Sequence, residues 1–128
     1  NAYVGICDLE GNYIYLNPAM KAAFEVDDNV DVKTLSVKQF GSNQSKKIIA
    51  NKNQELFTNK KWSGENVWKS NSGKLLNVYQ VATILAIDGI DKYVAVTAID
   101  ITHLKNQLDE TLRLTEIINR SQAFFAMS

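Results

Sequence analysis

The stretch YVAVTAIDITHLK, from Tyr93 to Lys105, decides the fold of this chain. Its first half is rich in β-branched and aromatic residues, which favour β-strands. Its second half begins a pattern of helical period, and the change falls at Asp100, Ile101 and Thr102. The stretch therefore predicts a globular body whose last strand leads into a helix, and these three residues form the predicted junction.

Composition indicates one ordinary globular domain. The 128 residues are 45% hydrophobic and 22% charged, and 14 basic residues balance 14 acidic ones. Such a balance does not favour a nucleic-acid partner or a charged membrane surface. The apolar runs are shorter than the roughly 20 residues that cross a bilayer. The single Cys7 rules out an internal disulfide and fits a reducing compartment.

The first part of the chain predicts a hairpin followed by helices. YVGICDLEGNYIYLN, from Tyr3 to Asn17, alternates at period two around turn residues 10–12. Asn17-Pro18 is typical of a helix start, because Asn caps free amides and Pro suits the first turn. Short helical turns are expected around Leu35 and Phe40, and a longer helix from Ser45 to Asn59.

Three further strands are predicted, at Trp62–Ser70, Lys74–Ile87 and Tyr93–Asp100. In the second of them both alternating sets contain apolar residues, so the sheet should be covered on both faces. Helices would cover one face. A flanking helix or a second copy of the domain would cover the other. The predicted class is α+β, with a five-stranded antiparallel sheet and helices on one face.

A final helix is predicted from Thr102 to Ser128. Its spacing of four and three residues forms a partly polar heptad seam, which predicts a long coiled-coil helix and a homodimer. The seam consists of Leu104, Leu108, Thr111, Thr115, Ile118, Gln122 and Phe125.

Three motifs in this order resemble the PAS domain family: GICDLEGNYIYLNPAMKAAF at 5–24, WSGENVWKSNSGKLLNV at 62–78, and AIDITHLK at 98–105. The resemblance implies a PAS sensory domain at 3–103, which senses or relays a signal and passes it to an output helix. Between Glu25 and Gln44 the sequence lacks the family's usual Gly-rich run.

The segment SQAFFAMS, from Ser121 to Ser128, resembles the lead-in to the phosphoacceptor helix of sensor histidine kinases. This implies a signalling helix at 104–128, a phosphorylated histidine just past Ser128, a kinase domain in cis and a response regulator as partner. The fragment itself would be regulatory and not an enzyme. Its expected place is the cytoplasm, and a parent anchored in the inner membrane is compatible with it. The alternative is a ligand-free dimerisation module serving a diguanylate cyclase or chemoreceptor.

No catalytic or metal motif emerges from the residues. Cys7 and His103 lie at opposite ends of the chain, and no orienting Asp or Asn is implied by their spacing. A phosphate-binding loop and a dinucleotide fingerprint are both missing. One His and one Cys do not make a zinc site without scattered carboxylates.

The resemblance to PAS domains raises haem and flavin as cofactors, and neither is expected. The family's usual axial His before the third strand is missing, and residues 40–52 lack the Cys motif of flavin photoreceptors. A small organic ligand stays open. The predicted pocket residues are Tyr15, Phe24, Ile48, Phe57, Tyr79 and Val81. For each of them core packing is the better explanation.

Asp100 is the acidic residue with the clearest predicted role. At the end of a strand its carboxylate can accept hydrogen bonds from backbone N–H groups or pair with Lys74 or Lys92. Thr102 is expected to cap the helix that starts there.

Overall fold

The computed structural model of the chain describes residues 2–107. The predicted seam from Leu108 onward, the segment Ser121–Ser128 and the coiled coil lie outside the described residues. Five strands and two helices follow the predicted order: β1 Tyr3–Asp8, β2 Tyr13–Leu16, α1 Pro18–Phe24, α2 Asn43–Asn59, β3 Lys61–Lys69, β4 Leu75–Ile87 and β5 Ile90–Asp100. Two short 3₁₀ turns, Val32–Thr34 and Val37–Phe40, precede α2, and residues 102–107 are helical. No helix among residues 2–107 is long and apolar enough to cross a membrane.

The five strands form one antiparallel sheet in the order β2-β1-β5-β4-β3. This confirms the predicted α+β class with a five-stranded antiparallel sheet. The first strand pairs with the last, Gly5 lying opposite Val96, so the N-terminal hairpin adds to the edge of the C-terminal strands. Because β5 is central, the helix at 102–107 starts from the middle of the sheet.

One face of the sheet, the inner face, carries the helices and the core. On β4 the inner residues alternate with exposed or half-exposed ones. The inner residues of β4 are Leu76, Val78, Gln80, Ala82 and Ile84. Phe24 of α1 and Phe40 of the second 3₁₀ turn stack in parallel above this face, their ring centres 4.1 Å apart. The core therefore lies between the sheet and the α1 side of the molecule.

Helix α1 is held at both ends. The Asn17 side chain accepts hydrogen bonds from the N–H groups of Met20 at 2.9 Å and Val4 at 3.1 Å, so the predicted cap is confirmed and also ties the helix to β1. At the other end Glu25 adopts a left-handed conformation, with φ of 63°. Its carboxylate accepts from the N–H and hydroxyl of Ser72 at 3.0 and 2.6 Å. The helix is thus joined to β1 and to the β3–β4 turn.

The other face of the sheet, called the outer face below, carries apolar side chains that no described element covers. Tyr15 of β2, Tyr79 and Leu85 of β4, and Ile99 of β5 are between 38% and 49% exposed. The predicted helical cover on a single face is thus confirmed, and the second face is left open among residues 2–107.

Candidate functional site: an inner cavity and the junction at Asp100

A cavity of about 470 Å³ lies between the inner face of the sheet and helix α2. Ligand pockets in proteins enclose roughly 300–1,000 Å³, so the cavity is far larger than a packing defect. Ile49 and Phe57 of α2 line it while remaining 36% and 43% exposed, and they therefore mark its mouth. The cavity is the main candidate site for a small molecule.

Most of the cavity wall is apolar. The floor comes from β4 and β5, one side from α1 and the second 3₁₀ turn, and the roof from α2. The apolar lining includes Met20, Phe24, Phe40, Ile49, Leu56, Ala82, Val94 and Val96. Charged residues enter the lining from the β1–β2 turn, the second 3₁₀ turn and α2, namely Asp8, Glu10, Lys38, Lys46 and Lys52. An apolar molecule would be desolvated well by such a wall.

A buried hydrogen-bonded group forms the polar part of the wall. The Gln80 Oε1 atom accepts from the Trp68 indole N–H at 3.0 Å and from the Asn66 amide at 2.9 Å. Asn66 also accepts from the N–H of Val67 at 2.8 Å. All three side chains are at most 6% exposed. Trp62, buried on the same face of β3, has an indole N–H without a hydrogen-bond partner among the described residues.

Two titratable groups in the wall are kept neutral by burial. Burial, reinforced by the charge of Asp8, raises the pKa of the Cys7 thiol to about 11. Burial also raises the pKa of Tyr13 well above its usual value. Because the thiolate is the reactive form of cysteine, Cys7 is not activated as a nucleophile.

The turn at the cavity rim is organised by Asp8. Its carboxylate accepts from the N–H groups of Glu10 and Asn12, each at 2.9 Å, and from the Asn12 side chain at 3.1 Å. These hydrogen bonds, led by those from Asn12, lower the pKa of Asp8. Gly11 in the same turn has φ of +92°, and a Cβ there would lie 2.6 Å from the Val37 side chain. The turn is thus packed tightly against the second 3₁₀ turn.

The structure divides the six predicted pocket residues into three groups. Phe24 and Phe57 line the cavity. Tyr15, Tyr79 and Val81 lie on the outer face, so the prediction that they line the pocket is wrong. Side chains alternate along a strand, and β4 turns Gln80 and Ala82 toward the inner face instead.

Ile48 packs against the core from α2 and lines a second, smaller cavity of about 350 Å³. That second cavity lies beside the junction. Its lining includes Ile101, Lys105 and Asn66, and Asn66 also belongs to the wall of the main cavity. Asn66 therefore contributes to the walls of both cavities.

The junction is ordered by a few specific contacts. The N–H of Ile101 donates to the Asn77 carbonyl at 2.9 Å, and the Ile101 side chain is buried. The N–H of Thr102 donates to Asp100 Oδ1 at 2.8 Å, so Asp100 binds a backbone amide as predicted. Lys105 pairs with Glu65 of β3 at 3.6 Å. The first turn of the helix is thus held against β3 and β4.

One detail of the junction differs from the predictions, namely the residue that caps the helix. The Ile101 carbonyl accepts from the N–H of Lys105, so Thr102 lies inside the first turn, and the capping carboxylate is that of Asp100. The charge of Asp100 also reaches β1, because the pKa of Tyr3 is raised by burial and then by this carboxylate. The Asp100 carboxylate therefore bonds the helix start and acts on Tyr3 of β1 through its charge.

The residues do not assemble a metal site within the part of the chain that the structure describes, since no three His, Cys, Asp or Glu side chains come together there. His103 is exposed at the start of the helix and is not among the residues that line the main cavity. A haem held by the family's axial His therefore does not fit this cavity wall.

Comparisons with known proteins agree with this architecture. No family model and no curated protein match the sequence. Among solved structures, the PAS domain of a protein from Colwellia psychrerythraea is 14% identical with a TM-score of 0.70, covering 80% of this chain and 87% of that one.

Two further solved structures have a similar fold and belong to different kinds of protein. A sensory box histidine kinase/response regulator from Burkholderia thailandensis E264 is 16% identical with a TM-score of 0.67, covering 93% of this chain and 91% of that one. An RNA-binding light-oxygen-voltage receptor is 10% identical with a TM-score of 0.73, covering 90% of this chain and 34% of that one. At such identities the likeness is one of fold. The chain therefore has the fold of a PAS domain.

Proposed function

We propose that this chain is a cytoplasmic sensory or relay module of a sensor histidine kinase, comprising a PAS body at 3–103 and a signalling helix at 104–128. The observation that carries the proposal is the junction, where the last strand of the body enters a helix through Asp100, Ile101 and Thr102. The likeness of the fold to a histidine kinase from Burkholderia thailandensis supports this output.

The contacts at the junction offer a route from the cavity to the helix. Asn66 bonds Gln80 in the cavity wall and lines the smaller cavity beside Ile101. A change around Gln80 that moves Asn66 would alter the packing of Ile101. Since Ile101 precedes the helix directly, its displacement would change the direction in which the helix leaves the body.

Regulation requires that a ligand or partner stabilise one arrangement of the body over another. A difference of about 1–3 kcal/mol between the two arrangements changes an output by roughly 5- to 150-fold. The helix would then alter autophosphorylation of the kinase domain in cis, and a response regulator would receive the phosphoryl group.

The test is autophosphorylation of the full-length parent protein carrying Asp100→Ala. This change removes the acceptor of the Thr102 N–H and leaves the core intact. Asp28→Ala, in an exposed turn, is the matched control. We expect Asp100→Ala to change the autophosphorylation rate at least about fivefold and Asp28→Ala to leave it unchanged. Equal rates for both variants, or a parent with no histidine shortly after Ser128, would contradict the proposal.

A second candidate function is a ligand-free dimerisation module for another output, such as a diguanylate cyclase or a chemoreceptor. The exposed apolar outer face favours an assembly role. In both candidates we propose a homodimer formed through the C-terminal helix, with the outer face as a possible second contact. Ile99→Lys, with Lys92→Ala as a control, should raise the dissociation constant measured by sedimentation if that face contributes.

The two functions differ in what a bound molecule does. In a sensor, a change in the cavity alters the output of the parent. In an assembly module, Ile99→Lys separates the chains while cavity variants such as Ala82→Val leave the output unchanged.

A further inference from the structure

The orientation of the Gln80 amide in the cavity wall is decided by its neighbours. An indole N–H is a donor only, so the Gln80 atom 3.0 Å from Trp68 Nε1 must be the oxygen. The Asn66 amide donates to the same oxygen at 2.9 Å, while its own oxygen accepts from Val67. Two donors from β3 therefore hold the oxygen of Gln80, and the amide cannot rotate without breaking both bonds.

The nitrogen of the same amide has no such partner. Gln80 is 6% exposed and lines the main cavity, yet its Nε2 atom has no acceptor among the described residues. Unlike the indole N–H of Trp62, the Gln80 Nε2 atom is not fully buried, so a molecule in the cavity can reach it. The cavity is where an acceptor for this group can enter.

A second unpaired donor lies on the same face. Trp62 is 5% exposed and its indole N–H has no partner among the described residues. Gly64 pairs with Gln80 across β3 and β4, and a Cβ on Gly64 would lie only 4.0 Å from Trp62 Nε1. The N–H edge of the indole thus lies at the level of Gln80. This part of the wall has a surplus of donors.

The remaining wall limits what the acceptor can be attached to. Around the polar group the lining is aromatic and aliphatic, and the thiol of Cys7 is buried with it. The charged lining residues come from the β1–β2 turn, the second 3₁₀ turn and α2, whereas the lining residues of β3 and β4 are all uncharged. A fully charged head group at Gln80 would lose its hydration without gaining an ionic partner.

We propose that the cavity binds an apolar small molecule whose neutral acceptor, a carbonyl oxygen or an aromatic ring nitrogen, takes the free N–H of Gln80. This inference rests on the proposed sensory function, because it names the ligand class of the same cavity. It excludes ligands whose buried end only donates hydrogen bonds.

A matched pair of probes tests the inference on the 128-residue chain. Quinoline and naphthalene have nearly the same shape, but only quinoline has a ring nitrogen that accepts a hydrogen bond. Binding is followed by ¹H–¹⁵N NMR titration. We expect quinoline to bind roughly five- to tenfold more tightly than naphthalene, the size of one hydrogen bond. The side-chain NH₂ signal of Gln80 should shift with quinoline and not with naphthalene.

The variant Gln80→Met removes the donor and should equalise the two affinities, whereas Gln54→Met on the exposed side of α2 should keep the preference. If Gln80→Met does not fold, the Gln80 NH₂ signal of the wild-type chain decides alone. Equal affinities in the wild type, no binding of either probe, or an unmoved NH₂ signal would overturn the inference. Such a result does not decide the kinase proposal, which is tested separately by the Asp100→Ala assay without any ligand.

Discussion

Helices α1 and α2 cover the same face of the sheet in opposite ways. Helix α1 has seven residues and buries Met20 and Phe24 to 1% exposure. Helix α2 has 17 residues, and within Asn43–Asn59 the only buried one is Ser45. Under α1 lies packed core, and under α2 lies the cavity. The α1 side therefore supplies stability, and the α2 side leaves room for a ligand.

The ends of α2 show how a helix can span a cavity. At its start the Ser42 hydroxyl accepts from the N–H of Ser45 at 3.0 Å and donates to the Val67 carbonyl of β3 at 2.6 Å. At its end Lys60 pairs with Asp91 of β5 at 2.6 Å. Fixed at both ends and poorly packed between them, α2 can adjust to the contents of the cavity.

The largest difference between the two sides is expected for loss of an aromatic ring. Phe24→Ala should destabilise the chain by about 3–5 kcal/mol, because Phe24 is fully buried against Phe40 and Trp68. Phe57→Ala, at the mouth of the cavity, should cost less than about 1 kcal/mol. Urea unfolding of the three chains measures both values. Similar losses for the two variants would contradict the contrast between α1 and α2.

Adding atoms should show the same contrast between the α1 side and the cavity side. A Cβ on Gly5, under α1, would lie 2.8 Å from the Met20 sulfur, so Gly5→Ala should cost about 1–3 kcal/mol. Ala82→Val, on the cavity floor, adds two methyl groups where space exists and should change the free energy of unfolding by less than about 1 kcal/mol. Thermal unfolding provides the comparison. A heavier loss for Ala82→Val would show that the floor is already packed.

At acidic pH the free energy of unfolding should depend on Glu25, which ends helix α1. Hydrogen bonds from Ser70 and Ser72 lower the pKa of Glu25 from 4.5 to about 2. A carboxyl whose pKa is lower in the folded state stabilises it above the unfolded pKa. That contribution is lost as the pH falls from about 5 to about 2.

Glu25→Gln removes this titration, so the variant should lose less stability than the wild type over that range. Glu55→Gln on α2, whose carboxylate pairs with Lys52 on the exposed surface, is the control. Urea midpoints measured at several pH values between 2 and 6 give the result. A Glu25→Gln curve parallel to that of the wild type would contradict a stabilising role of the ionised Glu25 carboxylate.

The smallest effect on stability is expected at the junction. The Lys105–Glu65 pair is exposed on both sides, so Lys105→Ala should cost at most about 0.5 kcal/mol. In the parent protein the same variant should still change autophosphorylation, because it frees the first turn of the helix from β3. Chemical unfolding and the kinase assay, run on one preparation, separate the two readouts. An unchanged kinase rate would mean that this pair does not take part in signalling.

Local signals in the sequence predicted much of this architecture. The Asn17-Pro18 start of α1 and the turn around Gly11 depend on neighbouring residues, and both occur as predicted. The strand bounds agree within a few residues, since turn residues such as Asn71-Ser72-Gly73 end them locally. The junction at Asp100 was found for the same reason, because strand and helix patterns meet there.

Contacts between distant residues were not predictable in this way. Gln80 meets Trp68 and Asn66 only through the register of β3 and β4, and Glu25 reaches Ser72 across 47 positions. On β4 both alternating sets contain apolar residues, so polarity does not show which set faces the core. The prediction that Tyr79 and Val81 line the pocket is wrong for this reason. A signal did exist: Gln80 is the one amide in an alternating set whose other members, Leu76, Val78, Ala82 and Ile84, are apolar, and a buried amide needs partners.

A change in the main cavity is expected to reach the junction. The most direct measurement compares backbone amide ¹H–¹⁵N NMR spectra of the wild-type chain and Ala82→Val, which alters the cavity floor. We expect shifts at Ile101 and Thr102, whose N–H groups bond Asn77 and Asp100, and unchanged signals at Gly73 in the distant β3–β4 turn. Shifts confined to the residues that line the cavity, with Ile101 and Thr102 unmoved, would contradict it.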